Sequence, residues 1–95
     1  METLKIYALL CPNTYEIRYI GRTKLSLERR LIAHISEDMF HNASKSYWIR
    51  CLKEKGLLPI ITLLEETNDL KDKKIEKIWI QKCLDEKCNL LNINS

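Results

Sequence analysis

The chain has 95 residues, 45% of them apolar and 31% charged, with a net charge of +3. That length makes one small domain, burying somewhat over ~60% of the surface its unfolded chain exposes, enough for one modest core. A run of ~20 apolar residues and a leader pattern at the start are both missing, which argues against a membrane span and a secretory signal and makes the cytoplasm the expected compartment.

Residues 3 to 11, TLKIYALLC, are too apolar and too short for an amphipathic helix, and Pro12-Asn13-Thr14 closes them with turn residues. Residues 15 to 20, YEIRYI, alternate and are rich in β-branched and aromatic types, so they read as a partner strand. If the hairpin loop is centred on Asn13, Tyr7 faces Tyr19 and Leu9 faces Ile17. Any register of that parity puts both tyrosines on one face, while a bulge in the loop would shift it. Such a pair has a plain reading too, as a cross-strand aromatic contact that stabilises the sheet.

Gly21 is expected to end the strand at a tight or left-handed turn. Thr23 or Ser26 can cap the next helix, with Glu28 in its first turn where the dipole favours an acid. Leu27, Leu31 and Ile35 recur at helical spacing as a buried stripe, and Arg30 and His34 lie one turn apart on its flank. Arg18, Arg22, Lys24, Arg29 and Arg30 fall in a stretch whose only acid is Glu28. That is the footprint of a polyanionic partner or simply a solvated charged face.

Glu37 to Ala43 reads as a loop, and Asn42 or Ser44 starts a second helix with Tyr47 or Trp48, Cys51 and Leu52 inward. Gly56 is its C-cap and Pro59 its stop signal. Residues 58 to 65, LPIITLLE, are almost wholly apolar and read as a third strand buried on both faces. Thr67 or Asn68 is expected to cap a third helix running to about Lys87, with Ile75, Ile78, Trp79, the stem of Lys82 and Cys83 inward. The order β-β-α-α-β-α describes one α+β domain: a small, mainly antiparallel three-stranded sheet flanked by three helices. Cys11, Cys51, Cys83 and Cys88 lack the close spacing of a zinc site, so free thiols are favoured over a metal set or disulfides.

Taken in order, Tyr7 in Lys5-Ile6-Tyr7, Tyr19-Ile20-Gly21, and Arg30 followed four residues on by His34 resemble the GIY-YIG endonuclease family, including phage and bacterial homing-type and excision-repair nuclease domains. The resemblance continues in WIRCLKEKGLLPIITLLEE and covers nearly the whole chain. It departs at Lys5, where the family has glycine, and the chain stops at Ser95, where relatives often continue. A metal-dependent hydrolysis of DNA phosphodiesters is implied. On position alone Glu76 is a half-inward acid on the third helix; the resemblance makes it the ligand of Mg²⁺ or Mn²⁺ and makes Asn92 (less so Asn89) a supporting residue. By the same resemblance Arg30 grips the phosphate, Tyr7 is the general base, Tyr19 positions water or phosphate, and His34 orients a tyrosine or relays a proton. A phenol's ordinary pKa of ~10 is too high for that base role, so cations such as His34, Arg22 or Lys5 are expected to lower it. Lys5, Arg22, Lys24 and Arg29 are the candidate DNA contacts. Sequence preference is expected to be weak, with specificity left to a second copy or a separate DNA-binding domain, in a bacterial or phage-infected cytoplasm. The alternative from another class is a nucleic-acid-binding module of the same fold with little turnover.

Overall fold

In a computed structural model, residues 3–36, 43–69 and 71–92 are described. They form β1 (Leu4–Leu10), β2 (Ile17–Thr23), α1 (Leu27–Ser36), α2 (Ala43–Glu54), β3 (Ile60–Thr67) and α3 (Lys74–Asp85). All strand pairs are antiparallel, in the order β2-β1-β3, so the α+β architecture is as expected. Among the described residues no helix is long and apolar enough to cross a membrane.

Burial follows from this order. β1 is the central strand, and Leu4, Ile6, Tyr7, Ala8 and Leu9 are buried along it. Alternate residues of a strand face opposite ways, and the two faces carry different helices. Leu4, Ile6, Ala8 and Ile20 pack with Ile75, Trp79, Ile80, Cys83 and Leu84 of α3. Tyr7 and Leu9 pack with Leu27 and Leu31 of α1 and with Trp48 and Ile49 of α2. The sheet therefore lies between α1 and α2 on one side and α3 on the other.

β3 corrects the expectation of a strand buried on both faces: it is an edge strand, and Leu63 is 44% exposed. Apolar composition could not separate a central strand from an edge one. The third helix also starts later than expected. Thr67 is still in β3 and its hydroxyl takes the Asp69 amide, while Asp72 Oδ1 accepts from the amides of Lys74 (2.8 Å) and Ile75 (3.4 Å). Ile78, expected inward, is 63% exposed, and on α2 the side chain turned in is Trp48, with Tyr47 outside. Ala43 is helical; the rest of the expected loop, and Asn42, lie outside the described residues.

The helix ends obey local rules. Ser26 Oγ accepts from the Arg29 amide at 3.3 Å. After α2, Gly56 has φ +74, its amide bonds to the Lys53 carbonyl, and the Leu57 amide bonds to that of Leu52. These are the paired bonds of a Schellman stop. α3 ends in the same pattern, with Lys87 at φ 64 in the glycine's place.

Candidate active site

Tyr7 and Tyr19 share a face, although the hairpin register differs from the expected one. Tyr7 pairs with Gly21 and Leu9 with Tyr19, two residues from a loop centred on Asn13. One residue of the shift is already present at the Leu10–Ile17 pair, and the other enters through a bulge between Leu9 and Leu10, on the loop side of Tyr19. The parity that matters to the tyrosines is thus kept.

Gly21 does not end the strand or make a left-handed turn. It lies inside β2, and its place is explained by space: a Cβ there would stand 2.6 Å from Tyr7 Cζ and nearer still to Oη. The Tyr7 ring lies across the backbone of its cross-strand partner. This directs Oη toward α1, where Arg30 and His34 stand one turn apart.

Tyr7 Oη lies 2.6 Å from His34 Nε2, and Arg30 Nε donates to the same oxygen at 3.1 Å. The Tyr19 and His34 rings meet edge to face, their centroids 5.5 Å apart. Tyr7 and His34 are fully buried, whereas Arg30 and Tyr19 keep part of their surface in solvent. The sequence gives no sign of the next member. Lys45 on α2 is only 2% exposed, its Nζ 2.9 Å from His34 Nδ1 and 5.6 Å from the Tyr19 ring centroid. Its signal would have been a lysine at an inward position of α2, which is ordinarily counted as surface.

Burial dominates the electrostatics. It pushes Tyr7 up to about 12, outweighing the hydrogen bond and charge of Arg30, where the expectation was a value lowered by nearby cations. Burial, then the charges of Lys45 and Arg30, push His34 down to about 3. A histidine ordinarily titrating near ~6.5 is therefore neutral when folded, while the unfolded chain takes up a proton as pH falls below that value. Stability contributed by the neutral ring is complete above pH ~6.5 and is lost toward pH 3, by at most about 1.4 kcal/mol per pH unit. Urea unfolding between pH 7 and 4 should show this slope, and His34→Gln should flatten it. An unchanged slope in the variant would place the effect elsewhere.

Glu76 is half-buried on α3, and burial raises its pKa against the opposing charge of Arg22. It also acts electrostatically on Tyr7. Among the described residues no three His, Cys, Asp or Glu side chains gather as a metal cage. A cation at Glu76 would thus have at most two such side chains from the described residues and its remaining oxygens from water and phosphate. Such a donor set suits Mg²⁺, which keeps several waters and takes one or two carboxylates with substrate phosphate.

Asn92 bonds to β2 at Ile20, the residue after Tyr19. Its Oδ1 accepts from the Ile20 amide (2.9 Å) and its Nδ2 donates to the Ile20 carbonyl (2.6 Å), so it clamps β2 as a neighbouring strand would. Of the candidate DNA contacts, Lys5 has its ammonium 3.8 Å from a Glu66 carboxylate oxygen, and Arg29 is exposed on α1. Arg22 and Lys24 line an open cleft of about 570 Å³ with Leu4, Thr23, Lys71 and Lys73. The last two cations, just before α3, were not foreseen.

Residues 4–89 match the GIY-YIG catalytic domain, a span that takes in all three strands and all three helices. The chain belongs to the GIY-YIG family. GIY-YIG domains are nucleases, which places this one among hydrolases acting on nucleic acid. No curated protein and no solved structure matches the chain. Within the family's first motif, Lys5 in the glycine position is accommodated on β1 by its ion pair with β3.

Proposed function

We propose that this GIY-YIG domain is a metal-dependent DNA endonuclease. The observation that carries the reading is the convergence on one phenol oxygen of a histidine and an arginine, with a half-buried carboxylate acting on the same tyrosine. A core needs no such set, whereas phosphate hydrolysis needs each part.

Glu76 would hold Mg²⁺ or Mn²⁺, which when bound supplies Lewis-acid polarisation of the phosphate and stabilises the leaving oxygen. Arg30, anchored at Nε by Tyr7, presents a planar fork suited to phosphate and to the charge that grows in the transition state. Tyr7 serves as general base toward the attacking water. Tyr19 orients that water or the phosphate. Asn92 holds β2 in place through Ile20. The cations Arg22, Lys24, Lys71 and Lys73 draw the DNA backbone toward the cleft they line.

The test is nicking of supercoiled plasmid with Mg²⁺ and with excess EDTA. Nicking that needs Mg²⁺ is the expected result, and equal nicking in EDTA would remove the metal from the mechanism. DNA binding without nicking under every divalent cation would favour the binding-module alternative.

A further inference from the structure

His34 is bonded at both ring nitrogens: Nε2 lies 2.6 Å from Tyr7 Oη and Nδ1 lies 2.9 Å from Lys45 Nζ. Two roles are open to it, to orient the tyrosine or to take its proton, and the sense of these two bonds separates them. A lysine ammonium has three donors and no acceptor, so the bond at Nδ1 runs only from Nζ–H to the ring. Nδ1 therefore carries no proton. An imidazolium would set two N–H donors against each other across 2.9 Å, and burial, then the charges of Lys45 and Arg30, disfavours it as well. A neutral ring keeps one proton, and Nε2 is the nitrogen left to hold it.

We propose that Lys45 is a positioning residue that fixes His34 as the Nε2–H tautomer, so that the imidazole donates to Tyr7 Oη and does not accept its proton. A phenol oxygen has one proton and two acceptor sites. Arg30 Nε–H fills one of these sites at 3.1 Å and His34 Nε2–H fills the other. Both donors favour a phenolate over a phenol, because a hydrogen bond to a charged group is about twice as strong as one between neutral groups. Burial opposes them, with Tyr7 at about 12, so the loss of either donor makes the phenolate rarer still. One of the two exists only because an ammonium faces the far side of the ring. The face of Tyr19, 5.6 Å from Nζ, favours that ammonium in its buried place.

Nitrogen NMR of isotope-labelled protein at pH 7 reads the tautomer directly, since protonated and bare ring nitrogens resonate far apart, and His34→Gln identifies the signals. The wild-type ring should carry its proton on Nε2 alone. A proton on Nδ1, or on both nitrogens, would overturn the assignment. Lys45→Arg keeps a donor toward Nδ1 and should keep this tautomer, whereas Lys45→Met removes the donor and should show a share of the Nδ1–H ring. An unchanged ring in folded Lys45→Met would mean that another group fixes the tautomer, and would overturn the role given to Lys45.

The effect on cutting rests on the nuclease reading. Plasmid nicking by Lys45→Met should be at least about ten-fold slower than wild type, the lower end of the loss seen when a partner that fixes a metal-bound histidine's tautomer is removed. Half-saturating DNA should stay within about two-fold, since the lysine acts on the reaction and not on binding. Lys45→Arg should restore most of the rate. Equal rates in wild type and Lys45→Met would overturn the catalytic value of the tautomer. The spectrum stands apart from that reading. An Nε2–H ring in a protein that never cuts keeps the assignment and removes the nuclease, and cutting by a protein with its proton on Nδ1 does the reverse.

Discussion

Arg30→Ala and Glu76→Gln should each lower Mg²⁺-dependent plasmid nicking by about 10²–10³-fold, the usual cost of removing one preorganised stabiliser of transition-state charge. The two losses differ in kind. Arg30 is tied to Tyr7 Oη through Nε, and a guanidinium carries five donors in a fixed fork. Arg30→Lys keeps the charge but not the fork, so it should recover only a small part of the rate. Glu76→Gln preserves shape and removes the charge a cation needs. Burial already disfavours the ionised Glu76, so the folded pKa is raised and the group opposes folding as pH rises through that value. At pH 7 the glutamine variant should therefore be at least as stable as wild type while nearly inactive. Lost activity with unchanged stability marks a functional acid. A Glu76→Gln protein nicking at the wild-type rate would remove this residue from the mechanism.

Gly21→Ala should be the most damaging single-methyl change in the chain. The backbone would accept alanine, as Gly21 is not among the positive-φ residues. The obstacle is the Tyr7 ring, 2.6 Å at Cζ from the new Cβ, and Tyr7 is fully buried with no room to retreat. Overpacking of this kind costs about 1–3 kcal/mol, and whatever shift relieves it takes Oη away from Arg30 and His34. Chemical denaturation should show the loss in stability and plasmid nicking the loss in rate. The Gly21→Ala/Tyr7→Ala protein provides the control. Once the ring is gone the methyl has space, so the double variant should lose less stability than the sum of the single changes. Additive losses would mean that the close approach is not the cause.

That glycine shows how far the sequence can be read. Its presence in Tyr19-Ile20-Gly21 was visible, but the reason lay across the strand pair, in a contact no local rule contains. The hairpin, the shared face of Tyr7 and Tyr19, and the placing of Arg30 with His34 were all legible because periods of two and 3.6 dictate them. Register was not, since a bulge at Leu9/Leu10 reset the pairing near the loop. Nor was the rank of the strands: LPIITLLE and TLKIYALLC are both strongly apolar runs, and TLKIYALLC takes the central place because β3 returns to its free side. Lys45 was hidden for a related reason. Its burial depends on a ring nitrogen eleven residues earlier, and a lysine's chemistry alone predicts solvent.

Placing β1 between β2 and β3 also governs when the molecule can become competent during synthesis. The hairpin and α1 contain Tyr7, Tyr19, Arg30 and His34, and all are synthesised before β3. Glu76 follows only with α3, and the clamp from Asn92 to Ile20 closes over a separation of 72 residues. Translation at about 5–20 residues per second leaves an interval of seconds in which the early strands exist without their later partners. Pairings so distant in sequence form slowly because closing the loop costs entropy before the contacts compensate for it. A nascent chain thus carries the tyrosines and the arginine before Glu76 joins them, and on the role proposed for that carboxylate cutting has to wait until nearly the whole polypeptide has been made and folded.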